Sequence, residues 1–122
     1  MITLTGGNFQ DATGAPLANG SIVFQLNADA RVVAAPYGQV SGKTKAVFQL
    51  NAAGALAANA QIWSNAELTP QLSPILLGTY YLVTLYDAND APVSDPMWWI
   101  FPNFIGATVD IATMMAFIFD LP

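Results

Sequence analysis

The stretch that decides the fold is Gly78–Phe101, with the sequence GTYYLVTLYDANDAPVSDPMWWIF. Thr79–Tyr86 is a run of β-branched and aromatic residues, Asp87–Pro92 has turn chemistry, and Val93–Phe101 is a second apolar run that is rich in Trp. This order predicts a β-hairpin. Side chains of the first strand alternate between two faces, neither plainly polar, and we expect the face with Tyr81, Val83 and Leu85 to lie in the core.

Outside this hairpin, short alternating runs are separated by Gly, Pro, Asp and Asn. The cleanest run is Gly20–Asn27, in which Ile22, Phe24 and Leu26 share one face. The remaining runs are Ile2–Thr5, Arg31–Val33, Lys43–Asn51, Ala57–Ser64 and Ala107–Ile111. Seven to nine short strands result, which predicts an all-β protein: an antiparallel sandwich, Ig-like or prealbumin-like.

Two further features of the strand pattern leave alternatives open. The alanine-rich segment Ala52–Ala60 competes as a helix, but Gly54 and Asn59 favour a turn. The five residues Val23–Asn27 are repeated identically at Val47–Asn51. Because the flanking residues differ, two strands that meet one core with the same alternation explain the repeat better than a duplication does.

Composition excludes most chemistry. The chain has 122 residues, enough for one domain, and contains neither His nor Cys, the commonest general base and the thiolate ligand. Only 9% of the residues are charged while 54% are apolar, so we infer burial against other chains. We expect no cofactor and no enzymatic activity, because the eight acidic residues are scattered, mostly at predicted turns, and only Asp110 lies within a strand pattern.

Charge also limits the partners. The net charge is −5, and Arg31, Lys43 and Lys45 are the only basic residues, too few for nucleic acid or an anionic membrane surface. No apolar run approaches the roughly 20 residues that span a bilayer, and the N-terminus lacks the pattern of a signal peptide. The expectation is synthesis in the cytoplasm, without a membrane span.

Two segments resemble known families. Asp11–Phe24, with its Asp-x-x-Gly-x-Pro-Leu turn before an apolar strand, resembles the opening of prealbumin-like and carboxypeptidase regulatory-like modules. Trp63–Pro70 followed by Gly78–Val83 resembles a Trp-x-Asn-x-Glu-Leu-x-Pro…Gly-Thr-x-Tyr-x-Val pattern of small β-modules in bacteriophage tail and fibre proteins, although residues 71–77 are inserted here. The second resemblance implies a non-enzymatic virion protein that binds itself or a neighbouring virion protein.

Three groups of residues are candidates for binding. The acidic turn from Asp87 to Asp95 offers oxygen ligands for calcium, but it lacks the EF-hand Gly and Glu, and a plain turn with no metal explains it better. Trp98 and Trp99 point to opposite faces of one strand, so one of them is available to a subunit interface or, as an alternative, to a host-surface glycan. The apolar tail adds Met114, Met115, Phe117, Ile118 and Phe119 to the predicted interface set.

The sequence therefore predicts a β-sandwich domain over residues 1–112 and an assembly segment over residues 113–122. The tail either packs on a neighbouring subunit or folds back over its own domain. The favoured function is a structural module of a phage tail, fibre or capsid decoration, located in the virion. The alternative is a carbohydrate-binding or adhesin-type β-sandwich that uses exposed aromatic side chains.

Overall fold

The computed structural model describes residues 1–69, 79–101 and 108–114, and the regular secondary structure within them is almost entirely β-strand. Ten short strands lie in these ranges, against the seven to nine predicted, and two of the ten have only two residues. The strands are β1 Ile2–Thr5, β2 Ser21–Leu26, β3 Ala30–Val32, β4 Gln39–Val40, β5 Ala46–Gln49, β6 Ala60–Ile62, β7 Leu68–Thr69, β8 Tyr81–Tyr86, β9 Met97–Trp99 and β10 Thr108–Asp110. The all-β, sandwich-like fold is confirmed.

The strands form three sheets. The four-stranded sheet has the order β5-β2-β8-β9 and is antiparallel throughout. The N-terminal sheet has the order β10-β1-β6, and the small sheet has the order β4-β3-β7. One pair departs from the antiparallel prediction, because β1 and β10 run parallel, with Leu4 opposite Val109.

The predicted central hairpin is present as β8 and β9, and its inward face is the expected one. Tyr81, Val83 and Leu85 are buried, while the alternate residues of β8 are half-buried. β8 lies between β2 and β9, with Val83 opposite both Phe24 and Met97. Because both of its edges are paired, β8 is an interior strand, as its lack of a polar face indicates.

One hydrophobic cluster draws side chains from all three sheets. At its centre the Phe24 ring makes edge-to-face contacts with Phe48, Tyr81 and Trp99, at centroid distances of 5.8, 5.9 and 5.7 Å. Aromatic pairs in this arrangement contribute about 0.5–1.5 kcal/mol each beyond their buried area. The aromatic residues of the four-stranded sheet thus form the middle of the core.

The competing helix at 52–60 does not form, and turns lead instead to β6. The segment after β6 contains a single 3-10 turn, Asn65–Glu67, before β7. A single helical turn, Ile111–Met114, follows β10 and is labelled α1. The predicted boundary between residues 112 and 113 falls within α1, and residues 115–122 lie outside the described ranges.

Candidate interaction surfaces

The residues that carry the phage-type resemblance form a buried polar cluster. Asn65 is fully buried, and its side-chain Nδ2 donates to Thr79 Oγ1 at 3.0 Å. Its Oδ1 accepts the Phe101 N–H at 2.8 Å, and the Phe101 carbonyl accepts the Ser64 hydroxyl at 2.8 Å. These bonds tie the segment after β6 to the flanks of the β8–β9 hairpin. These motif residues therefore hold the fold together rather than line a reactive site.

Tyr81 links the same segment to β8. Its hydroxyl donates to the Trp63 carbonyl at 2.6 Å. Burial, with a smaller contribution from the negative charge of Glu67, raises the pKa of the Tyr81 hydroxyl. Glu67 itself accepts the Ser64 N–H and pairs with the N-terminal amine of Met1 at 3.0 Å. Tyr81 is thus held as a neutral hydrogen-bond donor, which suits a structural residue and not a general base.

Three turns of the chain share one hydrogen-bond pattern. They begin at Asp11, Asn51 and Asp87, and in each the first residue's Oδ1 accepts the N–H groups two and four residues later. Each first residue also donates its own N–H to the carbonyl four residues later. Asn51 has no charge and makes the same contacts, so the carboxylate of Asp87 has a full structural role without a metal.

No group of three or more His, Cys, Asp or Glu that could hold a metal ion occurs within the described residues. The hydrogen bonds to Asp11 from the Thr13 hydroxyl, the Thr13 N–H and the Ala15 N–H lower the pKa of its carboxyl group. This carboxylate is fully exposed and lies in a turn, so its altered pKa reflects turn capping and not a catalytic site.

The outward-facing side of the four-stranded sheet is the first candidate surface. We call it the outer face; it consists of nine strand residues: Ser21, Val23, Gln25, Val47, Gln49, Leu82, Thr84, Tyr86 and Trp98. None of them is charged. Val23 lies opposite Val47 on one side and Thr84 on the other. Its side chain is 7% exposed but is not part of the core cluster, whereas Val47 is 53% exposed. An uncharged sheet face with apolar residues at its middle has the composition of an interface centre.

The two adjacent tryptophans lie on opposite faces of β9, as predicted. Trp99 is fully buried in the core and so leaves the predicted interface set. Trp98 is half-buried on the outer face, opposite Leu82, with its ring 5.2 Å from that of Tyr80. The sequence could not choose between them, because alternation assigns the two residues to different faces without saying which face is inside.

The other predicted interface residues are in the C-terminal segment. Met114 is the last residue of α1. Met115, Phe117, Ile118 and Phe119 lie outside the described residues. The part of the interface prediction that rests on the tail therefore stays a prediction.

A second candidate surface, which the sequence did not reveal, is a groove beside β5. Its volume is about 170 Å³, and its walls include Phe24, Ala46, Ile62, Trp63 and Tyr81. Ser41 and Thr44 supply hydroxyl groups near β5. The groove lies between the four-stranded sheet and β6 of the N-terminal sheet, and this arrangement depends on pairings between distant strands that no local pattern encodes.

Comparisons with protein-family models, curated proteins and solved structures gave no match to this chain. Within the described ranges, the structure contains no helix of the length and apolarity needed to cross a membrane.

Proposed function

We propose that the chain is a non-enzymatic structural module of a virion, which assembles with copies of itself or with a neighbouring virion protein. The observation that carries this proposal is the outer face: nine strand positions without a charge, in a chain of net charge −5. Two acidic proteins repel each other over most of their surfaces, so contact is favoured where charge is absent. Trp98, at the edge of this face, supplies the large aromatic group on which interface energy is commonly centred.

The assignment to a virion rests on the resemblance to phage tail and fibre modules. Its motif residues Asn65, Thr79 and Tyr81 have structural roles in the buried polar cluster and the core, as expected of a pattern that marks a fold. The absence of His and Cys from the sequence supports a non-enzymatic role.

The test is the oligomeric state of the purified chain, measured by sedimentation velocity over a concentration series. We expect species larger than the 12.9 kDa monomer at micromolar concentration. Trp98→Gln should shift assembly to higher concentration. Tyr37→Gln is the matched control, because Tyr37 is an exposed aromatic residue, 58% accessible, on the connection between β3 and β4. A monomer at every concentration would contradict self-assembly.

One observation favours the carbohydrate-binding alternative. The Tyr80 and Trp98 rings lie side by side at 5.2 Å with an angle of 36° between their planes, and the Gln25 side chain belongs to the same face. Aromatic platforms of this kind stack on sugar rings. A monomer that binds defined glycans on an array, and loses that binding in Trp98→Gln, would favour this function over assembly.

A further inference from the structure

Within the described ranges, the four-stranded sheet ends at β5, and no further strand pairs with the outer edge of β5. Among the described residues β5 pairs only with β2, and its side chains are the least buried of this sheet. Leu50 N–H donates to the Gly20 carbonyl, so the backbone groups of Leu50 point towards β2. Successive residues of a strand point their N–H and C=O groups to alternate sides, so those of Lys45 and Val47 point away from β2. The Gln49 carbonyl also points away from β2 and already accepts the Ala57 N–H. Among the described residues, the part of the β5 edge that no other segment uses is therefore confined to Lys45–Val47.

The groove lies directly beside this edge, on the inner side of β5. Ala46 is one of its walls, and its small side chain is half-buried. A cavity of roughly 150 Å³ lined by apolar groups can admit a benzene ring. The groove of about 170 Å³ thus has the size for one phenyl side chain delivered by a strand added to β5.

We propose that the C-terminal segment Phe117–Asp120 of a second copy of this chain adds to β5 as an antiparallel strand. The sequence allows one register in which every side chain has a suitable neighbour. Phe119 lies opposite Ala46 and fills the groove, Phe117 lies opposite Phe48, Ile118 opposite Val47, and Asp120 opposite Lys45. This inference rests on the proposed function: it names a second copy as the partner and adds a contact at the β5 edge to the one proposed at the outer face.

The charges support this register. The described structure places both lysines of the chain, Lys43 and Lys45, immediately before β5, and both are exposed. Lysine at an open edge discourages pairing with most segments, since its charge must be matched. Asp120 is the one charged residue after Asp110 in the sequence, and the register sets it on the same face as Lys45. An otherwise acidic chain thus has a basic edge and an acidic apolar segment that fits it.

The self-assembly proposed above directs the tail to a second copy and not to its own domain. The tail follows α1, where Ile111 lies against Gly7. The segment from Asn51 to Ala57 contacts both this region and the end of β5, since Leu56 N–H donates to the Gly6 carbonyl and Ala57 N–H donates to the Gln49 carbonyl. The tail of another copy approaches β5 from its open side. Such a contact is head-to-tail and gives rings or open filaments unless two copies exchange tails reciprocally.

Cysteine pairing tests the proposal, because the natural chain has no Cys. Full-length Val47→Cys and Ile118→Cys proteins, of distinguishable mass, are mixed and oxidised. The expected product is a disulfide-linked heterodimer. The matched control replaces Val47→Cys with Gln49→Cys, which lies on the same face two residues out of register, and should give much less heterodimer. Val47 is 53% exposed, so its substitution leaves the core intact.

Charge exchange gives a second, independent readout in sedimentation experiments. Lys45→Glu and Asp120→Lys should each raise the concentration of half-assembly roughly fivefold, and the double variant should restore it. Arg31→Glu changes the net charge as Lys45→Glu does, but on the exposed side of β3, and should have a smaller effect.

Two outcomes would overturn the proposal. One is a Val47→Cys/Ile118→Cys double variant that closes only an intramolecular disulfide, which would place the tail on its own domain. The other is an oligomer that forms normally without any Val47–Ile118 cross-link, which would retain the proposed structural function and reject this contact. A chain that stays monomeric at every concentration rejects both proposals together.

Discussion

Asn65 and Phe101 exchange two hydrogen bonds across the interior of the protein. The Asn65 N–H donates to the Phe101 carbonyl at 3.1 Å, and the Phe101 N–H donates to Asn65 Oδ1 at 2.8 Å. Asn65 is the first residue of the 3-10 turn after β6, and Phe101 lies beyond the end of β9. The Asn65 side chain thus supplies a hydrogen-bond acceptor in the place of a backbone carbonyl. Asn suits this position because a carboxamide both accepts from the Phe101 N–H and donates to Thr79 Oγ1.

Asn65→Ala is therefore expected to destabilise the fold. The substitution leaves the buried Phe101 N–H and Thr79 hydroxyl without this partner, and each such group costs on the order of 1–3 kcal/mol. We expect a loss of about 3 kcal/mol in the free energy of unfolding, measured by urea denaturation. Asn59→Ala, at an exposed loop position before β6, should change it by less than about 0.5 kcal/mol. Equal small effects at the two sites would contradict a structural role for the polar cluster.

Tyr81 combines core packing with a buried hydroxyl, and two substitutions separate these contributions. Tyr81→Ala should cost about 3–5 kcal/mol, because it removes a ring that contacts Phe24 and Phe101. Tyr81→Phe removes only the bond to the Trp63 carbonyl and should cost about 1–2 kcal/mol. The measurement is equilibrium unfolding, with Tyr37→Ala as the exposed control. A Tyr81→Ala protein as stable as the wild type would show that the ring is not part of the core.

Much of the fold could be predicted because strand alternation and turn residues are local signals. The face of β8 with Tyr81, Val83 and Leu85 was identified correctly, and so were the hairpin partner and the inward face of β2. Local signals also account for the segment from Ala28 to Gly42, because its Pro and Gly residues divide it into the short strands β3 and β4.

The pairing of distant strands could not be predicted. Val109 lies opposite Leu4 in a parallel pair, 105 positions away in the sequence, and neither strand contains information about the other. The groove beside Ala46 depends on such pairings. Asn65 could be recognised only as part of a motif, because its partners Thr79 and Phe101 are remote in sequence.

The fourth residue of each of the three equivalent turns has a positive φ angle, and we predict opposite changes in stability when it is changed to glycine or from glycine. Gly14 and Gly54 have φ angles of 85° and 76°, whereas Asp90 has 60° in the third turn. Asp90→Gly should stabilise the protein by up to about 1 kcal/mol by removing left-handed strain. Gly14→Ala should lower the free energy of unfolding by about 1 kcal/mol through the strain of a left-handed backbone at a residue with a Cβ. The new Cβ causes no clash, because its nearest neighbour is Gln10 Oε1 at 3.8 Å.

Gly54→Ala is expected to cost more than Gly14→Ala, since its Cβ would collide with the Phe9 carbonyl oxygen. Thermal and urea unfolding of the three single variants give the comparison. If Gly14→Ala and Gly54→Ala lowered the free energy of unfolding equally, the close approach of the Phe9 carbonyl oxygen would not explain the glycine at position 54.

Asp11 predicts a small pH dependence of stability. Hydrogen bonds from Thr13 and Ala15 lower its pKa in the folded state from the ordinary value of 3.8. A carboxyl group with a lowered folded-state pKa stabilises the protein at pH above its unfolded-state value, and this contribution is lost as the pH falls through the folded-state value. Asp11→Asn keeps the Oδ1 acceptor, as Asn51 does, but cannot titrate. The variant should therefore lose less stability than the wild type between neutral pH and pH below 3.8. Identical pH profiles would contradict the assignment.

Calcium should leave the stability unchanged. In the turn at Asp87 the carboxylate Oδ1 already accepts the Asn89 and Ala91 N–H groups at 2.8 and 3.0 Å, and the neutral Asn51 supports an equivalent turn. A ligand that binds only the folded state raises the unfolding midpoint by mass action, so binding would be visible as a concentration-dependent shift. We expect equal thermal midpoints with excess calcium and with excess chelator, both for the wild type and for Asp87→Asn. A midpoint that rises with calcium in the wild type but not in Asp87→Asn would assign a metal site to this turn.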